Sequence, residues 1–239
     1  MYRIWQHTLW GQEFEIVDQA SSAATPIIAS ELNEDVYGLR QVAFQPGDLV
    51  LDIGAHVGMF SLICGRFFPF VQVVALEPFP QNVQCFKENM RRNGVTNVQL
   101  LEMGVSGDGQ AVTLSMDPTN TGGTSAWSGP QRQGMSVEVP TITLDDLFHQ
   151  LGEPEIRFLK MDCEGMEYPS LYNFHFLQHV RNIGLEAHTN SVLRAKGYSI
   201  YKLKKLLQAQ LGADHVWMMS AELKDHLVEL PHQDATSAE

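Results

Sequence analysis

The segment LVLDIGAHVG, residues 49–58, decides the fold. An apolar run ends in an acid, Asp52, and the chain then turns through Gly54 and Gly58. A short buried strand followed by glycines reads as a bend where a ligand approaches the backbone. Outward from it, HVGMFSLICGRFF has helical length and spacing and stops before Pro69, and VQVVALE is a second buried strand. PQNVQCFKENMRRNG is a helix with Pro80 near its start and Gly94 at its end, and NVQLLEM is a third strand. This alternation predicts an α/β chain: a Rossmann-like, doubly wound, mainly parallel sheet with helices on both faces.

Upstream, IWQHTL and GQEFEIV flank Trp10-Gly11 and predict an N-terminal β-hairpin. SSAATPIIASELNEDVYG begins as a loop and is expected to become a short helix over about residues 30–37. Downstream, QAVTLSM and SVEVPTI read as an inserted antiparallel hairpin around a segment rich in Gly, Ser, Thr and Pro. That segment, residues 117–134, is either a floppy connection or a lid, with Trp127 as the side chain that would cover an acceptor. TLDDLFHQLG is a helix capped by Thr143. IRFLKMD and VRNIGLEAH are a fourth and a fifth strand, SIYKLKKLLQAQLG is helical, and HVWMMS is a last strand. The chain thus divides into a hairpin extension (1–29), a main domain (30–230) and a disordered tail (231–239).

Composition narrows the function. The 239 residues are 44% hydrophobic and carry a formal net charge of −12, which opposes binding to nucleic acid or anionic lipid. Lys202, Lys204 and Lys205 fit the wet side of one helix. No apolar run reaches the roughly 20 residues of a membrane span, and the first residues lack the pattern of a secretory signal. Three scattered cysteines suit reduced thiols and a cytoplasmic setting.

In doubly wound sheets the ligand lies beyond the carboxyl ends of the strands. Here an acid stands at or beside each end: Asp52, Glu77, Glu102, Asp162 and Glu186. A dinucleotide turn carries G-x-G-x-x-G and sets pyrophosphate on a helix N-terminus. This chain lacks the middle glycine and puts a carboxylate just before the bend, which would repel diphosphate. A cationic nucleoside without phosphate fits better, and S-adenosylmethionine is one. Glu77, 25 positions after Asp52, is placed to accept from ribose hydroxyls, though it would serve NAD equally well. Two other readings stay open: an NAD-type oxidoreductase, and a non-catalytic module that binds a cofactor or partner without turnover.

DIGAHVG, ALEP with Asn82 following, NVQLLEMGVS, TITLDDL and above all FLKMDCEGMEYPSL resemble the FkbM-type branch of class I S-adenosylmethionine-dependent methyltransferases. The resemblance spans roughly residues 30–190. It implies methyl transfer, mostly to oxygen on natural products, sugars or lipids. It also implies that Asp52, Gly54, Ala55, His56 and Gly58 surround the methionine part of the cofactor and that Glu77 holds the ribose. Met103, Gly104 and Val105 would lie beside adenine, and Tyr37 would close over the amino-acid end.

An alcohol acceptor must lose a proton, and a positioned base contributes about 10²- to 10⁴-fold. Asp162 and Glu164, on one side of an extended KMDCE, are the expected neighbours of the reacting centre, and His188 is the best general base by intrinsic pKa. Glu167 reads as a helix N-terminal charge. Asp162, Glu164, Glu186 and His188 also offer ligands to a divalent metal, but nothing in their spacing demands one, and the site is read as metal-free. The expected partner is a small or natural-product-like acceptor, reacting through a hydroxyl, or else through a carboxylate, which needs no base, or a nitrogen, which needs only alignment; an amphipathic start is compatible with a homodimer.

Overall fold

The computed structural model describes residues 1–117, 120–126 and 135–220. Strands β1 (Tyr2–Leu9) and β2 (Gln12–Gln19) form the expected antiparallel hairpin, turning through Trp10 and Gly11. Helix α1 (Ala24–Asn33) begins earlier than expected and stops before DVYG. Asp35 and Gly38 take left-handed backbone there (φ 56° and 73°), which ends the helix.

The central alternation follows: β3 (Leu49–Ile53), α2 (Met59–Phe67), β4 (Gln72–Leu76), α3 (Pro80–Arg92) and β5 (Val98–Leu101). Then come β6 (Gly104–Val105), β7 (Val112–Asp117), β8 (Asn120–Ser125), β9 (Met135–Val139) and β10 (Thr141–Ile142). The expected antiparallel pair is β7 with β9, and NTGGTS adds a third strand on the other edge of β7, giving the order β8-β7-β9. Trp127 and the rest of the expected lid, like the tail 231–239, lie outside the described residues. The chain closes with α4 (Leu144–Gln150), β11 (Ile156–Met161), α5 (Glu167–Tyr172), β12 (Ile183–Glu186), α6 (Ser191–Ala195), α7 (Ile200–Leu211) and β13 (Val216–Met219). Thr143 caps α4 as expected, its side chain accepting from the Asp146 N–H.

Six strands form one sheet in the order β13-β12-β11-β3-β4-β5, every neighbouring pair parallel. The fold is Rossmann-like α/β. Chain order reverses between β3 and β11, so a crevice opens at their carboxyl ends. The strand period sorts the core. Leu49, Leu51 and Ile53 bury against one layer, with α4, α5 and α7, while Val50 buries against the other, with α2 and α3. Each such side chain contributes about 1.5–3 kcal/mol, so a slip of one residue, which would exchange the faces, is strongly disfavoured.

The hairpin shares that second layer: Leu9, Phe14, Ile16 and Val17 belong to it. The Asn89 carboxamide on α3 acts as a strand substitute, accepting from Val17 N–H (2.6 Å) and donating to Val17 O (3.1 Å) and Val57 O (2.8 Å). One buried side chain thereby ties β2 to the glycine turn. No helix among the described residues is long and apolar enough to cross a membrane.

Candidate active site

The turn after β3 is shaped by close backbone approach. Gly54 has φ +74°, and a Cβ there would lie 1.9 Å from the Asp162 carbonyl oxygen, so only glycine lets the ends of β3 and β11 meet. The Gly54 and Ala55 N–H groups donate to Leu76 O at 3.0 and 2.9 Å, folding the turn across β4. His56 N–H donates to Glu77 Oε2 (2.8 Å), while Phe79 N–H (2.9 Å) and Asn82 Nδ2 (3.2 Å) donate to Oε1. Burial pushes the Glu77 carboxyl up to about 7, against the pull of those three donors.

Asp52 is not at the strand tip. It is inside β3 on the Val50 side and fully buried. The Ser61 hydroxyl on α2 donates to its Oδ2 at 2.6 Å, and Lys160 Nζ lies 3.3 Å from Oδ1. Register makes this pair, since Lys160 of β11 is the direct partner of Asp52. Lys160 also donates to Gly54 O at 2.7 Å. Burial alone would lower the Lys160 pKa, but Asp52 and Asp162 beside it outweigh that and raise it above 10.5. The expectation that Asp52 faces a cationic ligand is therefore corrected: its charge is answered inside the protein.

Beyond β11 the chain is bent by two left-handed residues, Glu164 (φ 53°) and Gly165 (φ 104°). Glu167, the first residue of α5, folds its carboxylate back to accept from Cys163 N–H and Gly165 N–H, both at 2.9 Å. The Tyr37 hydroxyl donates to Asp162 Oδ2 at 3.2 Å. His188 stands among four carboxylates. Its Nδ1 is 3.3 Å from Glu167 Oε1 and 4.0 Å from Asp162 Oδ1; its Nε2 is 3.6 Å from Glu164 Oε1 and 3.7 Å from Glu186 Oε1. Burial by itself lowers an imidazole pKa, but the Glu167 hydrogen bond and the surrounding charges override it and raise His188 to about 11. The surrounding carboxylates thus favour the protonated ring over the neutral form that a general base requires. Burial, joined by neighbouring acids and opposed by His188, pushes Glu164 and Glu186 each to about 7. Asp162, Glu186 and His188 have ligand atoms within 4.8 Å of one another, so the metal reading keeps a geometric basis without any further support.

Between these two loops lies a crevice lined by Gly54, His56, Glu77, Asn82, Gly104, Val105, Asp162, Cys163 and Glu164. Residues 52–213 match the model of the methyltransferase FkbM domain. The chain belongs to the FkbM methyltransferase family. Methyltransferase 1 of Beauveria bassiana is 23% identical over 180 residues, 65% of this chain and 72% of that protein. The 31-O-demethyl-FK506 methyltransferase FkbM of Streptomyces tacrolimicus is 25% identical over 154 residues, 53% of this chain and 59% of its own length. A crystal structure of a SAM-dependent methyltransferase from Agrobacterium tumefaciens aligns over 91% of this chain and 61% of that one, with 12% identity and a TM-score of 0.48.

In this FkbM-family chain, then, seven expected residues share one crevice: Gly54, His56, Glu77, Gly104, Val105, Asp162 and Glu164. Tyr37 and Ala55 line an adjoining hollow with Lys160. Three of the expected cofactor contacts lie elsewhere. Asp52 is under the turn; Gly58 (φ +88°) starts α2, where a Cβ would strike Phe86 and Met90; Met103 packs into the core. Glu102 leaves the row of acids and pairs with Lys87 on the surface. Lys160, Thr121 and Asp18 were not expected at the site, whereas Glu167, a candidate read as a helix N-terminal charge, does open α5. Lys160 had a sequence signal, since it follows Phe158 at strand spacing on the Val50 side. Thr121 and Asp18 had none, as their roles depend on where distant loops return.

Proposed function

We propose that this chain transfers the methyl group of S-adenosylmethionine to oxygen, on a hydroxyl of a small or natural-product-like acceptor. One observation carries the reading beyond the family. The crevice is walled by carboxylates, Glu77, Asp162 and Glu164, while the buried cation next to it, Lys160, is already engaged by Asp52 and the Gly54 carbonyl. Such a site favours a positively charged nucleoside and disfavours diphosphate.

The residues present fit that cofactor. Glu77 Oε2 receives one backbone donor and retains lone pairs for ribose hydroxyls. Gly104 and Val105 offer a neutral wall for adenine, and the Tyr37–Asp162 pair is an acceptor for an ammonium. S-adenosylmethionine, when bound, supplies an electrophilic methyl group. The chain's own work is to align the acceptor and take its proton. Glu164, with a pKa of about 7, is matched to that task near neutral pH. His188 sits behind it as a fixed positive charge that favours the ionised carboxylate, and Glu167 holds both His188 and the loop.

Calorimetry with S-adenosylhomocysteine and with NADH tests the cofactor; labelled S-adenosylmethionine, followed by mass spectrometry of products from a hydroxylated small-molecule extract, tests the reaction. Binding of the first ligand alone and an O-methyl product are expected. NADH binding without S-adenosylhomocysteine binding would overturn the cofactor. Label appearing solely on nitrogen would overturn the oxygen assignment, and cofactor binding without any labelled product would favour a non-catalytic module.

A further inference from the structure

A hydrogen-bonded chain that ends on His56 begins far from it in sequence. Asp18 in β2 and Thr121 in β8 are both fully buried. Asp18 accepts from Gln19 N–H (2.6 Å) and the Thr25 hydroxyl (2.8 Å), and Thr121 Oγ1 lies 3.3 and 3.4 Å from its two oxygens. Ser22 Oγ accepts from Ala24 N–H (3.2 Å) and lies 2.7 Å from Thr121 Oγ1. His56 Nε2 stands 2.8 Å from the same Thr121 oxygen. On its other side, His56 Nδ1 is buried and has no hydrogen-bond partner among the described residues.

Donor counting orders this chain. A carboxylate only accepts, so the single Thr121 proton goes to Asp18. Ser22, whose oxygen already accepts from Ala24, gives its proton to Thr121. The Thr121 oxygen then accepts from His56 as well, which puts the ring proton on Nε2. Burial, ahead of the opposing charges of Asp18 and Asp162, holds the His56 pKa below 6.5, so the ring is neutral and Nδ1 carries a free lone pair. An acceptor left unpaired in the interior is unfavourable, and this ring lines both the crevice and the adjoining hollow.

We propose that Asp18 and Thr121 are positioning residues that hold His56 in its Nε2–H tautomer, so that Nδ1 accepts a hydrogen bond from an N–H or O–H group of the bound cofactor. The ligand half of this inference rests on the reading of the crevice as an S-adenosylmethionine site; the tautomer half does not. Both positioning residues come from outside the glycine turn, one from the N-terminal hairpin and one from the insertion, and this gives those two segments a common purpose at the site.

Long-range proton–nitrogen correlation spectra of ¹⁵N-histidine-labelled protein, with His56 assigned by its loss in H56Q, read the tautomer directly. Wild type is expected to show Nε2–H. In D18N the new amide donates to Thr121, the chain reverses, and His56 should switch toward Nδ1–H. T121V should mix the tautomers, while T121S, which keeps the hydroxyl, should retain the wild-type pattern. In calorimetry, D18N and T121V should each weaken S-adenosylhomocysteine about ten-fold, the effect of one misplaced hydrogen bond, and T121S should stay within about two-fold. Should T121V fail to fold, the D18N and T121S comparison still decides. An Nδ1–H wild type, or a D18N spectrum unchanged from wild type, would overturn the relay. A switched tautomer with unaltered affinity would overturn the ligand contact. Wild-type protein that binds no S-adenosylhomocysteine would sink the cofactor reading and the contact with it, while the spectra would still judge the relay.

Discussion

The turn after β3 and the loop after β11 face each other across the crevice, and they handle charge in opposite ways. Around the turn, each buried acid has partners of its own: Asp52 has Lys160 and Ser61, and Glu77 has three N–H donors. Around the loop, four carboxylates share one imidazolium, and two of them have pKa values raised to about 7. The first arrangement gives each acid donors of its own, and burial still pushes Glu77 up to about 7. The second keeps two carboxylates near balance at neutral pH, which suits the proton acceptor proposed above. The two walls, the binding wall of the turn and the reacting wall of the loop, differ in partnership: Glu77 keeps three donors of its own, whereas Glu164 and Glu186 share His188 with two further carboxylates.

The largest break in that contrast is expected from K160M. It leaves Asp52 as a buried charge with Ser61 as its remaining side-chain donor among the contacts described. Removing one partner of a buried ion pair costs about 3–5 kcal/mol, enough to unfold a marginal domain. Urea unfolding should register that loss, and the double variant D52N/K160M should recover most of it because the orphaned charge is gone. A K160M loss under about 1 kcal/mol would mean that Asp52 is satisfied some other way and that the turn is not pre-set by this pair.

The same pair marks how far sequence could be read. The sheet, its parallel order and the row of strand-end acids follow from short apolar runs and glycine placement, because strand period and turn sterics act within a few residues. The fate of each acid does not. Asp52 looks like a crevice residue until β3 is seen to run through Ile53, which turns its carboxylate under the turn and toward Lys160. His188 reads as a lone histidine until carboxylates from the loop after β11, from α5 and from β12 gather round it. Thr121 looks like loop composition until β8 pairs with β7. Local chemistry is legible; partners supplied by distant chain are not.

An intermediate effect is expected from E167Q on the reacting wall. The amide keeps the volume but replaces one acceptor oxygen with a donor, so Cys163 N–H and Gly165 N–H are no longer both satisfied. Leaving a buried donor unpaired costs about 1–3 kcal/mol, and the Glu164 loop should loosen with it. Turnover should fall about 10- to 100-fold, the range seen when a supporting shell is disturbed, with little change in S-adenosylhomocysteine affinity. The His188 pKa, followed by NMR, should fall because its strongest partner is lost. Equal loss of turnover and of cofactor affinity would show that the two walls are one unit after all.

The smallest effect, and the sharpest for separating roles within the reacting wall, is in pH dependence. Glu164 and Glu186 have folded-state pKa values of about 7 against 4.5 for a free carboxyl. The folded state therefore binds more protons between pH 4.5 and 7, and stability should fall as pH rises through that window and level off above it. His188, raised to about 11 from 6.5, contributes stability that is fully present below pH 6.5 and is lost as pH climbs toward 11. Glu77, also pushed up to about 7, acts in the same sense, so these groups together should make stability decline as pH rises from about 4.5. E164Q and E186Q should each flatten the slope between pH 4.5 and 7. Their activities should differ: with Glu164 as the base, turnover in wild type and E186Q should rise as pH passes about 7, and in E164Q that limb should vanish. If instead E186Q loses the limb and E164Q keeps it, the proton leaves the acceptor from the other side of His188, and the two carboxylates exchange roles without any change in the binding wall.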